Sequence, residues 1–267
     1  MRIAILDGYN LMHRARFGLK GDNNIIFNFF RALRPLVAEI KPDKIYLVLE
    51  GVPVHRQALD PEYKANRQIE QGTAKWDEMV EFRRQKRIIL DLIGNLPITL
   101  AKHPNLECDD TIASLVNIHS NDDCVVVSTD TDFIQLLDQS RVKLYNPVKK
   151  DYIPAAQYDY VLWKSLRGDK TDNIPSVAGM TDKAAEKLLL SADKLADFLS
   201  EGDNRAAFER NVGLVRLKIA PLEEIEIVNP NPNLDTLRGK LTEFRFFSMV
   251  NDTAWNNYSK SFEQIYG

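Results

Sequence analysis

The sequence predicts an α/β fold with a mixed, largely parallel central sheet flanked by helices. Three short apolar runs rich in β-branched residues, at positions 3–6, 45–49 and 124–127, are typical of strands buried in such a sheet. Between the first two runs, an apolar residue recurs every three or four positions over residues 24–40, which predicts a helix. Strands and helices therefore follow one another along the chain.

Weaker patterns predict the remaining elements. Short strands are expected at residues 96–100 and 142–145, and the strand that begins at Cys124 is expected to continue to Asp130. Helices are expected over residues 78–92, from near Glu107, from Phe133 and through most of the chain after Tyr160. Residues 229–233 alternate asparagine with proline, which predicts an irregular connection before the last helices.

The composition allows one large domain and does not exclude nucleic acid as a partner. The chain has 267 residues, 44% of them hydrophobic, so it can bury a substantial core. The net charge of -3 conceals a basic stretch between about residues 56 and 102. The two cysteines have neither zinc-ligand spacing nor a disulfide framework. No stretch resembles a signal peptide or a membrane span, so we expect a cytoplasmic protein without membrane attachment.

Acidic residues follow the three apolar strands. Asp7 ends the first strand, Glu50 follows the second, and Asp130 and Asp132 follow the third. The carboxyl ends of parallel strands meet at one edge of a sheet, where such folds carry their working site. Carboxylates crowded at that edge repel one another unless a cation neutralises them. Because hard oxygen ligands suit Mg²⁺ or Mn²⁺, the pattern predicts a divalent metal site.

Two further acidic groups extend this prediction. Glu107 and Asp110 are three residues apart on the predicted helix and share a face, whereas Asp109 is offset and is expected to act through water or neighbouring contacts. Asp169 and Asp172 lie in a later loop. Each group alone also fits a helix cap or a turn. Their joint occurrence favours two metal ions about 4 Å apart, an arrangement that supports phosphodiester hydrolysis.

Basic residues lie just beyond the second strand. Arg56, Lys64 and Arg67 are expected near the metal site, where cations can stabilise charge on a reacting phosphate. Tyr63 fits either stacking on a base or ordinary packing. The predicted helix over residues 78–92 carries a cluster that fits either nucleic-acid binding or a solvated face, namely Arg83, Arg84, Lys86 and Arg87.

Taken in combination, these motifs resemble those of the 5′ nucleases: flap endonucleases, phage 5′–3′ exonucleases and the 5′-nuclease domain of bacterial DNA polymerase I. The resemblance runs from about Arg2 to about Val250. The residues that carry it are Asp7-Gly8-x-Asn10, Glu50-Gly51, Arg56 followed by Tyr63-Lys64-x-Asn66-Arg67, Glu107-x-Asp109-Asp110, Asp130-x-Asp132 and Gly168-Asp169-x-x-Asp172-Asn173-Ile174-Pro175.

The resemblance implies a PIN-like fold with one domain over residues 1–267. It implies a catalytic core over 1–160, with a helical arch inserted at about 64–92, and a helical region over 161–267, with a duplex-binding hairpin at about 168–189. The implied first metal set is Asp7, Glu50, Glu107, Asp109 and Asp110, and the second is Asp130, Asp132, Asp169 and Asp172. The implied catalytic residues are Arg56, Tyr63, Lys64 and Arg67.

The resemblance also implies the partners and cofactors. These are DNA with 5′ flaps or 5′ ends, two Mg²⁺ ions for which Mn²⁺ can substitute, and K⁺ in the hairpin of a monomeric protein. The implied DNA-binding residues are Arg83, Arg84, Lys86 and Arg87 on the predicted helix, and Ser176, Gly179, Thr181 and Lys183 in the hairpin.

Three residues depart from the family pattern. Glu50 stands where the family usually has aspartate, and Ser176 and Thr181 stand where glycine is usual, although Thr181 can cap the following helix. Two alternative interpretations stay open beside the nuclease. A PIN-like ribonuclease would lack the hairpin, and a catalytically weak DNA junction-binding protein would have a drifted metal site, to which Glu50 points.

Overall fold

A seven-stranded sheet forms the centre of the molecule. The computed structural model describes residues 1–137 and 140–265. The strands are β1 (Arg2–Asp7), β2 (Lys44–Leu49), β3 (Thr99–Lys102), β4 (Asp123–Val127), β5 (Val142–Asn146), β6 (Asp151–Ile153) and β7 (Glu226–Val228). Their spatial order is β6-β5-β4-β1-β2-β3-β7, with the five inner strands parallel and both edge strands antiparallel to their neighbours. The prediction of a mixed, largely parallel sheet is confirmed.

Helices cover both faces of the sheet. They are α1 (Gly8–Ala15), α2 (Asn24–Ile40), α3 (Val54–Leu59), α4 (Ala74–Ile93), α5 (Cys108–Ile118), α6 (Tyr160–Arg167), α7 (Asp182–Leu189), α8 (Ala192–Ser200), α9 (Asn204–Val215), α10 (Leu234–Glu243), α11 (Phe247–Val250) and α12 (Asp252–Lys260). Short 3₁₀ turns lie at Ala65–Arg67, Asp132–Leu136, Val177–Gly179, Leu222–Glu224 and Glu263–Ile265. In the described part of the chain, no helix is long and apolar enough to cross a membrane.

Several predicted elements differ from those observed. The strand expected at 96–100 is β3, shifted toward the carboxyl end, and β4 stops at Val127, three residues before Asp130. The helix expected from Phe133 is a single 3₁₀ turn. Neither three-residue edge strand was predicted, and β7 interrupts the region expected to be helical. Strands this short leave too little alternation of apolar and polar residues to be recognised.

The alternation of side chains along β1 divides the core into two layers. Ala4 and Leu6 point to one face, where they join a cluster that includes Phe29 and Phe30 of α2. Ile3 and Ile5 point to the other face, where α5 packs. A separate small cluster holds α6 to α9 together. With both faces covered, the open edge at the carboxyl ends of the strands is left for a site.

A buried glutamine fastens α4 to the start of α2. Asn23, the residue before α2, forms no side-chain hydrogen bond to the first amide groups of the helix. Instead, Gln85 of α4, only 1% exposed, accepts hydrogen bonds through Oε1 from the amides of Ile25 (2.9 Å) and Ile26 (3.2 Å). The buried residues of α4 begin at Phe82, so its later half is fixed on the core. No residue from 64 to 81 is buried.

Gln85→Met should destabilise the protein by about 1–3 kcal/mol, because two buried amides lose their acceptor while the volume is kept. The free energy of unfolding from urea titration measures the effect. Arg87→Met, an exposed change on the same helix, is the matched control. Equal stability of both variants would contradict a capping role for Gln85.

Candidate metal centre

A cavity of about 1060 Å³ opens at the carboxyl ends of β1, β2 and β4. Eight of the nine predicted metal ligands line it: Asp7, Glu50, Glu107, Asp109, Asp130, Asp132, Asp169 and Asp172. They come from segments that are as far as 165 residues apart in sequence, counted from Asp7 to Asp172. The expected meeting of acidic groups at one edge of the sheet is therefore observed.

The carboxylates nearest β1 and β2 are crowded, with Asp7 buried and Glu50 and Asp109 half-buried. Asp7 is 5% exposed, and burial raises its pKa to about 6 although it accepts hydrogen bonds from the Asn10 amide and the Ser128 hydroxyl. Burial, together with the charge of Glu107, raises the pKa of Glu50 to about 7. Burial and then the charge of Asp130 raise the pKa of Asp109 well above its usual range. An oxygen-rich cluster with this much repulsion fits a divalent cation.

The geometry at the start of α5 reverses the expected roles of two aspartates. Asp109 lines the cavity, whereas Asp110 is fully buried and does not. Both oxygens of Asp110 accept hydrogen bonds from Arg56, at 2.6 and 2.8 Å, and one also accepts from the amide of Lys218. Asp110 also completes a capping box with Glu107. The expectation that Asp109 is the offset member is wrong, because Arg56 draws Asp110 away from the cavity.

Arg56 is a buried structural cation. It is 2% exposed, contacts Glu107 and Asp110, and donates through Nε to the carbonyl of Leu214 at 2.7 Å. A guanidinium enclosed in this way does not reach a substrate phosphate, so the expectation that Arg56 acts on the phosphate is wrong. The burial of Arg56 was not predicted because one of its partners, Leu214, lies 158 residues further along the chain.

Tyr63 and Lys64 both contact Glu107. The Tyr63 hydroxyl donates to Glu107 at 2.9 Å and to Asp172 at 3.3 Å, and the ring is 5% exposed, which excludes base stacking and favours the packing interpretation. Lys64 lines the cavity, and its Nζ contacts the other oxygen of Glu107 and lies 3.7 Å from Asp172. Lys64 therefore stands where a phosphate oxygen could reach it.

A second carboxylate group forms around β4 and the loop after α6. Oxygens of Asp132, Asp169 and Asp172 all lie within 4.8 Å of one another. Arg67, at the cavity edge, contacts Asp172. The grouping of Asp132 with the later pair is as expected from the sequence.

Lys164 is a site residue that the sequence analysis missed. Its Nζ contacts Asp132 and lies 2.7 Å from Asp169, although the residue is only 5% exposed. Burial alone would lower the pKa of Lys164, but the charges of Asp132 and Asp169 raise it. Its position on the buried stripe of α6, beside Val161 and Ser165, was the available signal. A lysine on such a stripe requires a buried anionic partner.

Two motif segments are joined by one backbone hydrogen bond and by two hydrogen bonds from asparagine side chains to backbone carbonyls. The Lys64 amide donates to the carbonyl of Asp172 (2.9 Å). Asn66 donates to the carbonyl of Lys170 (3.0 Å), and Asn173 donates to the carbonyl of Glu62 (2.8 Å). Asn66 and Asn173, two of the three asparagines in the family motifs, thus hold the basic segment against the acidic loop.

The basic residues of α4 differ in how accessible they are. Arg83 and Arg87 are exposed, and Arg83 lies over the Trp76 ring. Arg84 is also exposed, but it is paired with Glu81 and bonded to Asn23. Lys86 is half-buried against Tyr9, and burial lowers its pKa. The four therefore do not form one equivalent cluster.

The segment expected to be a hairpin contains a turn followed by a capped helix. Ser176 precedes the 3₁₀ turn at Val177–Gly179, and Gly179 has a φ of +70°. The Thr181 hydroxyl accepts a hydrogen bond from the Ala184 amide at 3.4 Å, which confirms that Thr181 caps α7. Lys183 is exposed on the first turn of that helix.

Comparison with known proteins places this site in a family. The model of the 5′-3′ exonuclease N-terminal, resolvase-like domain matches residues 2–162, more than half of the chain. The chain belongs to this 5′-3′ exonuclease family. The resemblance stated from the motifs is confirmed.

Curated relatives of the chain differ in length. A 5′-3′ exonuclease of Mycobacterium tuberculosis is 27% identical over 76% of this chain and 74% of its own length. DNA polymerase I of Thermus thermophilus is 26% identical over 94% of this chain. The chain spans about a third of the length of that polymerase, since the match covers 33% of it.

Solved structures share the fold. The D15 flap endonuclease of bacteriophage T5, in a complex with DNA and metal ions, matches with a TM-score of 0.68 over 99% of both chains at 18% identity. At this identity the likeness concerns the fold, and it confirms the expected 5′-nuclease architecture.

Glu50→Gln should stabilise the metal-free protein by on the order of 2 kcal/mol at pH 8. The pKa of Glu50 is about 7 in the folded protein, against an ordinary value of 4.5. Between pH 4.5 and pH 7, Glu50 is therefore more protonated in the folded state than in the unfolded state. The free energy of unfolding of the wild type therefore falls relative to that of the variant as the pH rises from about 4.5 to about 7. Below this range the variant and the wild type should be equally stable. Thermal unfolding in EDTA measures the difference.

Added Mg²⁺ should reverse this order, stabilising the wild type more than Glu50→Gln. Glu62→Gln, a change at an exposed glutamate, is the control and should change neither profile. If Mg²⁺ stabilises the wild type and Glu50→Gln equally, Glu50 is not part of a metal centre.

Proposed function

We propose that the protein is a metal-dependent 5′ nuclease that hydrolyses DNA phosphodiesters near junctions of single strand and duplex, as a flap endonuclease and 5′–3′ exonuclease. The observation that carries the proposal is the gathering of eight carboxylates at one edge of the sheet, several with raised pKa, in a member of the 5′-3′ exonuclease family. Repulsion of this strength is relieved by divalent cations.

The donor set fits two Mg²⁺ ions. Asp7, Glu50 and Asp109 would hold one ion, with Glu107 beside it. The residues for the other ion are Asp130, Asp132, Asp169 and Asp172. When bound, two such ions stabilise the charge on both the attacking and the leaving oxygen of a phosphoryl displacement, and Mn²⁺ has the same ligand preference. The T5 exonuclease has been solved with metal ions bound, which supports this assignment.

The chain's own cations would bind the reacting phosphate. Lys64 and Arg67 line the cavity and form ion pairs with its carboxylates; Arg67 also donates to a loop carbonyl, and the Lys64 ammonium lies 5.0 Å from the centre of the Tyr63 ring. Once the carboxylates are neutralised, the donors of both residues become available to phosphate oxygens. Arg56 and Tyr63 act through Glu107, whose orientation they fix, and are positioning residues.

The DNA would contact two surfaces beside the cavity. The exposed arginines Arg83 and Arg87 and the unburied stretch over residues 64–81 suit a single-stranded 5′ end, for which that stretch would form the arch. The turn and helix from Ser176 to Lys183, with Gly179 and Thr181, suit the duplex backbone and a K⁺ ion. Complexes of T5 flap endonuclease and of the Rad2 catalytic core with DNA support this choice of ligand.

Cleavage of labelled 5′-flap substrates, in matched DNA and RNA forms, tests the proposal. We expect cutting of the DNA flap near the junction in Mg²⁺ and none in EDTA. Asp130→Asn should lose most of the activity while still binding DNA, because it removes a carboxylate of the cavity and no cation. Asp235→Asn, on an exposed turn of α10, should cut normally.

Two other outcomes would replace the proposal. Preferential cutting of the RNA flap would identify a ribonuclease of the same fold. Tight binding of the DNA flap without cutting, in Mn²⁺ as well as Mg²⁺, would identify a junction-binding protein. Glu50→Asp would then be the first substitution to test for a gain of cutting.

A further inference from the structure

Arg167 is a cavity-lining cation that does not contact the metal-site carboxylates. It ends α6 and contributes to the wall of the same cavity as Lys64, Arg67 and Lys164. Those three residues each contact a cavity carboxylate. Within residues 1–137 and 140–265, no acceptor lies within hydrogen-bonding distance of the Arg167 guanidinium, and its buried Nε has no partner. Its closest charged contact is Asp182, at 3.7 Å from NH1.

An aromatic platform holds this guanidinium in place. The Arg167 guanidinium carbon lies 4.7 Å from the centre of the Trp163 ring, a stacking distance. Trp163 is itself fixed, because its indole N–H donates to the carbonyl of Asp182 at 3.2 Å and its ring contacts those of Tyr158 and Tyr160. The planar group is therefore oriented before any ligand arrives, so that little side-chain entropy remains to be lost on binding.

The position of Arg167 links the two parts of the proposed DNA path. Tyr160, on the same helix, donates to Thr131 beside the metal centre, at 3.0 Å. Asp182, on the other side, opens α7 of the segment proposed to hold the duplex. The Arg167 guanidinium lies between the metal centre and α7, has N–H groups without acceptors among the described residues, and belongs to a side chain that is 29% exposed. It is therefore suited to bind a phosphate of a DNA strand that runs from the metal centre to α7.

We propose that Arg167 binds a non-scissile backbone phosphate of the substrate, with Trp163 as its positioning residue. This inference rests on the proposed function in that it takes DNA as the ligand. A guanidinium can offer two parallel N–H groups to one phosphate, whereas a lysine would offer a single point of charge. Arg167 would thereby set the register of the duplex relative to the cavity without taking part in the reaction.

Equilibrium binding of a fluorescent 5′-flap DNA in EDTA, across a range of KCl concentrations, tests the inference. Arg167→Met should weaken binding roughly tenfold, as expected for one charged hydrogen-bonded contact. It should also reduce the magnitude of the slope of log K against log salt by about 0.9, the loss of one phosphate contact. Arg167→Lys should keep the slope and recover part of the affinity. Arg31→Met is the control, since Arg31 is an exposed arginine whose guanidinium likewise lies over an aromatic ring, 5.7 Å from that of Phe27 on α2.

A scan of single methylphosphonate linkages along the duplex identifies the contact. One neutral linkage should weaken binding by the wild type and have no further effect on Arg167→Met. An unchanged slope and affinity in Arg167→Met, with no linkage showing this non-additive effect, would overturn the inference and leave Arg167 a packing residue. If Arg167→Met does not fold, Arg167→Gln, which keeps a polar end, replaces it. The salt slope with the affinity, and the linkage scan, then decide the inference in the same way.

These measurements do not depend on catalysis. If the wild type binds flap DNA but does not cut it in Mg²⁺, the proposed nuclease function fails while the salt slope and the linkage scan still decide the role of Arg167. If the wild type cuts but the slope of Arg167→Met is unchanged, the nuclease proposal stands and the inference about Arg167 fails.

Discussion

Repulsion among buried and half-buried carboxylates at the carboxyl edge of the sheet is the constraint on which the rest of the structure depends. Asp7, Glu50 and Asp109 are crowded there with raised pKa, a state that costs folding free energy when the groups ionise. Buried cations limit that cost elsewhere in the cluster. Arg56 forms ion pairs with Asp110 and Glu107, and Lys164 forms ion pairs with Asp132 and Asp169. Part of the negative charge at this edge is thus compensated by buried cations, and the rest is available to bind metal.

The same charge pairs determine how the helical second half of the chain meets the sheet. Arg56 joins the start of α5 to the end of α9 through the carbonyl of Leu214. Lys164 joins α6 to Asp132 after β4. The hydrogen bonds from the Lys64 amide and from the Asn66 and Asn173 side chains, between the basic segment and the acidic loop, add a third connection. The components of the proposed site are therefore held in register by contacts between residues that are distant in sequence, which favours a rigid catalytic edge.

The predictable parts of the molecule are those that depend on local periodicity. The strand cores and α2 follow from apolar spacing, and the acids at strand ends follow from the geometry of parallel strands. The roles of Asp109 and Asp110 could not be predicted, because the partner that separates them, Arg56, lies more than 50 residues away in sequence. Nor could the burial of Arg56 itself or of Tyr63, since both depend on tertiary contacts. A short basic motif indicates which residues gather at a site, but not which of them face the substrate.

Locating bound metal tests the central claim most directly. Anomalous diffraction from a crystal soaked in Mn²⁺ should show density in the cavity, one site among Asp7, Glu50 and Asp109 and another beside Asp132 and Asp169, with the Lys164 ammonium moved away from the second. Absence of any anomalous peak from the cavity at a Mn²⁺ concentration that stabilises the protein, or peaks confined to other surfaces, would contradict the view that these buried carboxylates are gathered to hold metal.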